Sequence, residues 1–192
     1  MAKAPQRREE WTRAATDYVL ENGLIGLSLR PLAAALGTSD RMLLYNFGSK
    51  DELVAAVLRA SNDRATARID DLAPSPDIRQ AVHDLWAAMR SGTVDLCSRL
   101  YIEAAALGLL GREPYVSVVR DANEAWTLSL VEHLVRSGVD RPLARRTVNV
   151  IDAAFMGFQL DLPLDAGGQE VTRGVADLAD AIAVLVNLRM EA

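Results

Sequence analysis

The sequence of 192 residues is poor in cysteine and in aromatic residues, with one cysteine and an aromatic content of 5%. The single Cys97 excludes an internal disulfide bond and is typical of a protein kept in a reducing cytoplasm. The scarcity of aromatic residues, together with many alanines and leucines, favours helices over sheets. No charged and then apolar leader opens the chain, and no apolar run reaches the roughly 18 residues of a membrane span. We therefore expect a cytoplasmic protein with no membrane partner.

The sequence also lacks the short motifs of common catalytic sites. It contains no phosphate-binding loop, no dinucleotide-binding glycine pattern, no nucleophile elbow and no H-E-x-x-H zinc motif. Its two histidines, His83 and His133, lie far apart and neither has a C-x-x-C partner. Cys97 is more typical of a small buried hydrophobic residue than of a metal ligand. The sequence therefore predicts no enzyme, no metal site and no cofactor.

Charge is unevenly distributed along the chain. Residues 1–50 contain seven Lys or Arg against five Asp or Glu, a net charge of +2. Residues 51–192 contain fourteen against twenty-one, a net charge of −7. The basic excess is small, but it is confined to one end of the chain, where it suits contact with nucleic-acid phosphates.

Residues 28–50, S-L-R-P-L-A-A-A-L-G-T-S-D-R-M-L-L-Y-N-F-G-S-K, form two short helical patterns around a turn. Ser28 is a predicted N-cap for the first helix, and Gly37 ends that helix where a left-handed backbone is favoured. Ser39 is a predicted cap for the second helix. This pattern is typical of a helix-turn-helix, whose second helix enters the DNA major groove. The alternative is an ordinary helical hairpin with a glycine turn.

Ten residues in and around this motif are candidate DNA contacts. Arg41 lies near the start of the second helix, where side chains reach base edges, and its guanidinium matches guanine. Arg30 and Lys50 begin the neighbouring helices and suit phosphates. Asn46 suits phosphate or adenine, whereas Asp40 suits a helix cap or cytosine. The full set is Arg30, Ser39, Asp40, Arg41, Met42, Leu44, Tyr45, Asn46, Ser49 and Lys50.

The run L-A-A-A-L-G-T-S-D-R-M-L-L-Y-N-F-G-S-K-D-E-L resembles the DNA-binding domain of TetR-family transcriptional regulators. The resemblance is close over about the first quarter of the chain, and the remainder matches that family in length and helical character. It implies that Lys50 contacts phosphate and that residues 45–47 correspond to the family's Y-H-F-like segment. A tyrosine that often contacts phosphate in the family would fall at Leu44, and the sequence leaves open whether Tyr45 replaces it.

Helical periodicity interrupted by glycine and proline predicts an all-α fold of about nine helices. Besides the two motif helices, we expect helices at about 1–22, 49–72, 78–90, 94–110, 115–136, 141–161 and 169–190. Arg7 and Arg8 at the start of the first helix either contact the DNA backbone or form a solvated terminus. We divide the chain into a helix-turn-helix DNA-binding domain, residues 1–48, and a helical ligand-binding and dimerisation domain, residues 49–192.

The last predicted helix is apolar over a wide arc. Val175, Leu178, Ile182 and Leu185 form one line, with alanines and a valine beside it. A surface helix needs only one apolar stripe. A monomer that buries both lines is the alternative, but we favour a homodimer interface. The family resemblance implies the same arrangement, because in TetR-like proteins the last two helices build a four-helix dimer bundle.

Polar residues interrupt the apolar stripes of the second predicted domain. Asp152 and Gln159, for example, flank Phe155. When buried, such groups need a partner, which is either a neighbouring helix, solvent at a dimer seam, or a small molecule in a mostly apolar cavity. The candidate ligand contacts are Trp86, Met89, Leu100, Glu103, Asn123, Trp126, Phe155 and Gln159.

These observations together predict a sequence-specific DNA-binding transcriptional regulator. We expect a homodimeric repressor that is released from double-stranded operator DNA by a small, mostly apolar effector. The alternative is a helical interaction protein whose helix-turn-helix no longer binds DNA. The sequence identifies neither the operator nor the effector.

Overall fold

The computed structural model describes residues 4–190, with side chains from Gln6 to Leu188. Over that range it contains nine helices and no strand, which confirms the predicted all-α fold. The helices are α1 (Ala4–Asn22), α2 (Leu29–Ala35), α3 (Asp40–Phe47), α4 (Lys50–Asp70), α5 (Ile78–Met89), α6 (Gly92–Leu109), α7 (Tyr115–Arg136), α8 (Arg141–Asp161) and α9 (Gln169–Met190). Among them, none is long and apolar enough to cross a membrane.

The described chain divides into two compact units. The first contains the residues up to Ala65 together with Gly92–Ala125, and the second contains Thr66–Ser91 and the chain from Trp126 onward. Helices α4 and α7 therefore each contribute residues to both units. The division after residue 48, which separates DNA binding from ligand binding, is a functional one and stays a prediction.

The first unit is built around one apolar cluster to which α1 to α4, α6 and α7 contribute. Leu43 and Phe47, one turn apart on α3, are both buried in it, so the opposite face of this helix stays free. The cluster includes Ala15, Val19, Leu32, Leu43, Phe47, Leu53, Val57, Leu100 and Val118. Cys97 is buried in the same unit, and burial raises the pKa of its thiol. It is therefore the small hydrophobic residue that the sequence indicated.

The second unit packs α5, α8, α9 and part of α7 around a second apolar cluster. Its members include Leu85, Leu130, Ile151, Phe155, Ala179 and Ile182. Helix α8 approaches α9 closely at Gly174, where an added Cβ would lie 2.7 Å from Cε1 of Phe158. This glycine therefore sets how tightly the two helices pack.

The inward face of α9 corrects part of the predicted dimer surface. Val175 and Ile182 are both buried, and Ile182 belongs to the second unit's own core, because α5 and α8 pack against α9. Leu178 is partly buried against the same cluster. Of the four predicted interface residues, Leu185 is the one whose side chain remains exposed, at 36%.

Candidate nucleic-acid interface

The turn between α2 and α3 is fixed by backbone hydrogen bonds. The N–H of Thr38 donates to the carbonyl of Ala33 at 2.9 Å, and the N–H of Gly37 donates to that of Ala34 at 3.1 Å. This pair of bonds is a Schellman motif, and it requires the left-handed conformation that Gly37 adopts at φ +65°. The predicted role of Gly37 is therefore confirmed, and the turn sets the direction in which α3 leaves α2.

Serine caps hold the starts of α3 and α4. The Ser39 hydroxyl accepts a hydrogen bond from the Met42 N–H at 3.3 Å, and the Ser49 hydroxyl accepts one from the Glu52 N–H at 3.0 Å. Ser28 occupies the N-cap position of α2, but its side chain makes no capping hydrogen bond. Ser39 and Ser49 thus satisfy backbone donors at two helix starts that border the proposed interface.

Helix α3 presents the predicted recognition residues on its free face. Asp40, Arg41, Met42, Leu44 and Tyr45 are exposed and Asn46 is partly exposed. Tyr45 is 82% exposed, which is unusual for an aromatic side chain without a partner. The Asn46 amide donates to the Met42 carbonyl at 2.8 Å, and a carboxylate oxygen of Asp40 accepts from the Arg41 N–H at 2.9 Å. Asp40 therefore accepts a backbone hydrogen bond in the first turn of α3, and its predicted contact with DNA stays a prediction.

Two exposed cations lie at the starts of α2 and α4, the helices before and after α3. Arg30 is exposed in the first turn of α2, and Lys50 is the exposed first residue of α4. The Lys50 ammonium donates a hydrogen bond to the carbonyl of Leu27. Since an ammonium has three donors, this bond orients Lys50 and leaves two donors for another acceptor. Both cations lie at helix starts, where the backbone adds positive potential.

Arg8 of α1 lies over the ring of Phe47, with its guanidinium carbon 5.2 Å from the ring centroid. This cation–π contact places a basic side chain of α1 at the end of α3. Arg8 itself is exposed, so its guanidinium also remains accessible. The predicted contact of Arg7 and Arg8 with the DNA backbone stays a prediction.

Glu103 of α6 holds the loop between α1 and α2. Its Oε2 accepts hydrogen bonds from the N–H of Leu24 at 2.8 Å and of Ile25 at 2.7 Å. Gly23 makes this approach possible, because it adopts φ +82° and an added Cβ would lie 3.3 Å from Oε1 of Glu103. The carboxylate therefore positions the loop that leads into the helix-turn-helix. The prediction that Glu103 orients a ligand stays a prediction, whereas its contact with the loop is observed.

Two other predicted ligand residues also lie in the first unit. Leu100 is buried in its apolar core. Asn123 is exposed, and its side-chain oxygen accepts a hydrogen bond from the Tyr101 hydroxyl at 3.4 Å. Leu100 and Asn123 therefore lie in a different unit from the other candidate ligand residues, and their contact with a ligand stays a prediction.

The other five predicted ligand residues, Trp86, Met89, Trp126, Phe155 and Gln159, lie in the second unit. The Trp86 and Phe155 rings are in contact, with centroids 5.1 Å apart. Trp126 donates from Nε1 to Oδ1 of Asp152 at 2.9 Å. Asp152 was absent from the predicted set, although its position three residues before Phe155 placed it on the same side of α8.

Comparison with known proteins gives three results. Residues 12–57 match the family described as bacterial regulatory proteins, tetR family. The HTH-type transcriptional repressor Rv3405c of Mycobacterium tuberculosis is 34% identical over 84 residues, which cover 42% of this chain and 45% of that protein. The HTH-type transcriptional repressor NicS of Pseudomonas putida is 30% identical over 89 residues, covering 44% and 42%. The chain thus spans less than half the length of the curated relatives it matches.

Solved structures match over nearly the whole chain. A transcriptional regulator from Rhodococcus sp. has a TM-score of 0.73 at 21% identity and covers 91% of this chain and 95% of its own. The multidrug binding protein EbrR, complexed with imidazole, has a TM-score of 0.62 at 25% identity and covers 90% and 94%. The family match over residues 12–57 includes the helix-turn-helix, and the solved structures share the overall fold of the chain, so the first helices are similar to the tetR family of bacterial regulatory proteins and the whole chain is similar in fold to these regulators.

Proposed function

We propose that this chain is a homodimeric transcriptional repressor that binds a near-palindromic DNA operator through α3. The observation that carries the proposal is the two-sided character of α3. Its apolar residues Leu43 and Phe47 are buried, while Arg41, Tyr45 and their neighbours are exposed, as are the cations Arg30 and Lys50 on the preceding and following helices. A short helix held on a rigid turn, with polar and basic groups on its free face, suits insertion into the major groove.

Within this interface we assign the cations different tasks. Arg41 follows Asp40 at the start of α3, the end from which recognition helices contact base edges, and a guanidinium reads guanine through two hydrogen bonds. Lys50 and Arg30 contact phosphates, which fixes the register of the protein on the duplex but carries little sequence information. Tyr45 adds a phenol that is free to donate to a phosphate oxygen next to the position of Leu44.

Exposed apolar stripes on α8 and α9 support the homodimer. They replace the buried Val175 and Ile182 as the proposed contact surface. The stripes consist of Val150, Ala153, Gly157 and Leu160 on α8 and of Ala181, Val184 and Leu188 on α9. The spacing places each set on one helical face, and the small residues allow a partner helix to approach closely. Two copies that pair these faces bury them in a four-helix bundle and present two recognition helices to one operator.

Repression, as opposed to activation, and control by an effector are also proposals, and they are drawn from the names of similar proteins. Two relatives matched over less than half of their length are named repressors, and EbrR is described as a multidrug binding protein. We propose that a small molecule binds in the second unit near Trp86, Trp126 and Phe155 and lowers the affinity for DNA. Such an effector acts only through its different affinities for the free and DNA-bound arrangements, and operator DNA must weaken effector binding by the same factor.

An electrophoretic mobility shift with DNA from the region upstream of the gene tests the proposal. The wild type is expected to shift this DNA specifically, and Arg41→Ala is expected to lose about 1–3 kcal/mol per half-site on it. Lys50→Ala should weaken binding to all DNA sequences and reduce the salt dependence by about one counterion. Arg120→Ala, which removes an equal charge from the exposed surface of α7, is the matched control and should leave binding intact.

The result that contradicts the proposal is equal, weak binding of wild type and Arg41→Ala to specific and random DNA. That outcome would instead favour a helical interaction protein whose helix-turn-helix has lost its DNA contacts. Equal losses on specific and random DNA for Arg41→Ala alone would reassign Arg41 to a phosphate contact.

A further inference from the structure

A carboxylate without a cationic partner lies beside aromatic side chains of the second unit. Asp152 of α8 is partly buried and accepts a hydrogen bond from the Trp126 indole at 2.9 Å. In the described chain, from Gln6 to Leu188, that indole is the hydrogen-bond donor to Asp152, and neither Lys nor Arg forms an ion pair with it. A carboxylate removed from water normally has a cation or several N–H donors beside it. One indole N–H therefore leaves Asp152 with spare capacity for a positive charge.

Aromatic rings lie on the same side of α8 as this carboxylate. Phe155 follows Asp152 by almost one helical turn, and the Trp86 ring lies 5.1 Å from that of Phe155 and 5.9 Å from that of Phe158, centroid to centroid. Trp86 and Trp126 both pack against the core cluster that contains Phe155, and both stay partly exposed. The faces of these rings carry negative potential, which attracts cations, and their area suits an apolar body.

Gln159 provides a second polar group without a partner. It lies one turn beyond Phe155 on the same face of α8 and is 9% exposed. Within the described residues, neither Nε2 nor Oε1 of its amide has a hydrogen-bond partner. Buried amides are nearly always paired in proteins, so this amide is available to a bound molecule that offers it both a donor and an acceptor.

We infer that Asp152, Trp126, Trp86 and Gln159 bind an organic cation, a compound with an ammonium group on an apolar or aromatic body. The Asp152 carboxylate supplies the opposite charge, the indole rings pack on the apolar body, and the Gln159 amide binds a polar substituent. The inference deepens the proposed function by naming the chemical class of the effector. The release of DNA by such a compound rests on the proposed function, whereas the binding of the cation does not.

The ionisation of Asp152 agrees with this geometry. Burial raises the pKa of its carboxyl above the ordinary value, and the Trp126 hydrogen bond only partly opposes that effect. A charged carboxylate is therefore costly here in the absence of a cation. An organic ammonium group beside it offsets that cost, which gives the site a preference for positively charged over neutral compounds.

Calorimetric titration with phenyltrimethylammonium and its neutral isostere tert-butylbenzene tests the inference. Wild-type protein is expected to bind the cation at least about tenfold more tightly, because the charge meets both a carboxylate and ring faces. Asp152→Asn keeps the size and the acceptor for Trp126 but removes the charge, and it should abolish this preference. Asp177→Asn, an exposed acid of α9, is the matched control and should retain it.

Equal affinities for the two compounds in the wild type, or no binding of either, would overturn the inference. A cation preference that survives in Asp152→Asn would do so as well. If Asp152→Asn does not fold, Trp126→Phe removes the indole N–H while keeping a ring, and an unchanged cation affinity in that variant also refutes the site.

Addition of the same cation to the protein–DNA complex separates this inference from the proposed function. If binding of phenyltrimethylammonium depends on Asp152 but DNA is not released, the site stands and the proposed effector control fails. If the protein binds no DNA at all, the proposed function fails, while the calorimetric comparison still decides the site.

Discussion

Replacement of Glu103 by alanine tests how the loop before the helix-turn-helix is held. The substitution removes the acceptor of two hydrogen bonds, from the N–H groups of Leu24 and Ile25. A hydrogen bond to a charged group contributes about 1.5–3 kcal/mol net. The Ile25 N–H is exposed and regains water, whereas Leu24 is 2% exposed and has little access to it. We therefore expect a loss of about 2 kcal/mol in the free energy of unfolding, close to the value of one such bond.

Urea unfolding followed by circular dichroism measures this loss. Protein concentration must be equal for all variants, because a homodimer couples folding to association. Glu103→Gln keeps a neutral acceptor and should lose about half as much as the alanine variant, since neutral bonds are roughly half as strong. Glu124→Ala, an exposed acid of α7, should lie within about 0.5 kcal/mol of the wild type. Equal stability of Glu103→Ala and Glu124→Ala would refute the assigned role.

Three further predictions concern pH, helix packing and assembly. Burial, aided by the charge of Arg136, lowers the pKa of buried His133, so the folded protein resists its protonation. The contribution of neutral His133 to stability is full above about pH 6.5 and is lost as the pH falls from there towards the lowered pKa. The free energy of unfolding, measured against pH in this range, should therefore depend less on pH in His133→Gln than in the wild type. Gly174→Ala forces its Cβ against the neighbouring α8 ring at 2.7 Å and should lower the thermal midpoint by several degrees, with intact helix content by circular dichroism. Leu188→Glu should give monomers in sedimentation experiments, whereas Leu109→Glu, at a more exposed leucine of α6, should leave the dimer intact; a dimeric Leu188→Glu variant would contradict the proposed interface.

The helices could be predicted from local sequence because local physics determines their ends. Helix α7 ends before Gly138, which adopts the left-handed conformation, and α8 begins with Pro142 in its first turn. The outward face of α3 could be predicted in the same way. Leu43 and Phe47 recur one turn apart and mark the buried face, so the remaining side chains point outward. In each case neighbours in sequence are neighbours in space.

Partners distant in sequence could not be predicted in this way. Glu103 lies 79 residues from Leu24, and nothing in the sequence of α6 indicates that its carboxylate accepts hydrogen bonds from a distant loop. The pairing of Trp126 with Asp152 likewise depends on how α7 and α8 pack. Helix α9 is apolar over a wide arc, and the packing of α5 and α8 decides which part of that arc is buried, so the sequence of α9 alone does not separate its buried residues from its exposed ones.

Selection of binding sites from a pool of random duplex DNA tests the central claim most directly. The account predicts enrichment of a near-palindromic site whose half-sites lie about 34–36 Å apart, or a multiple of that distance. The same selection with Arg41→Ala should relax one base position in each half-site. Failure of the wild-type protein to enrich any sequence, or enrichment of an identical site by Arg41→Ala, would contradict the claim that α3 reads operator DNA through Arg41.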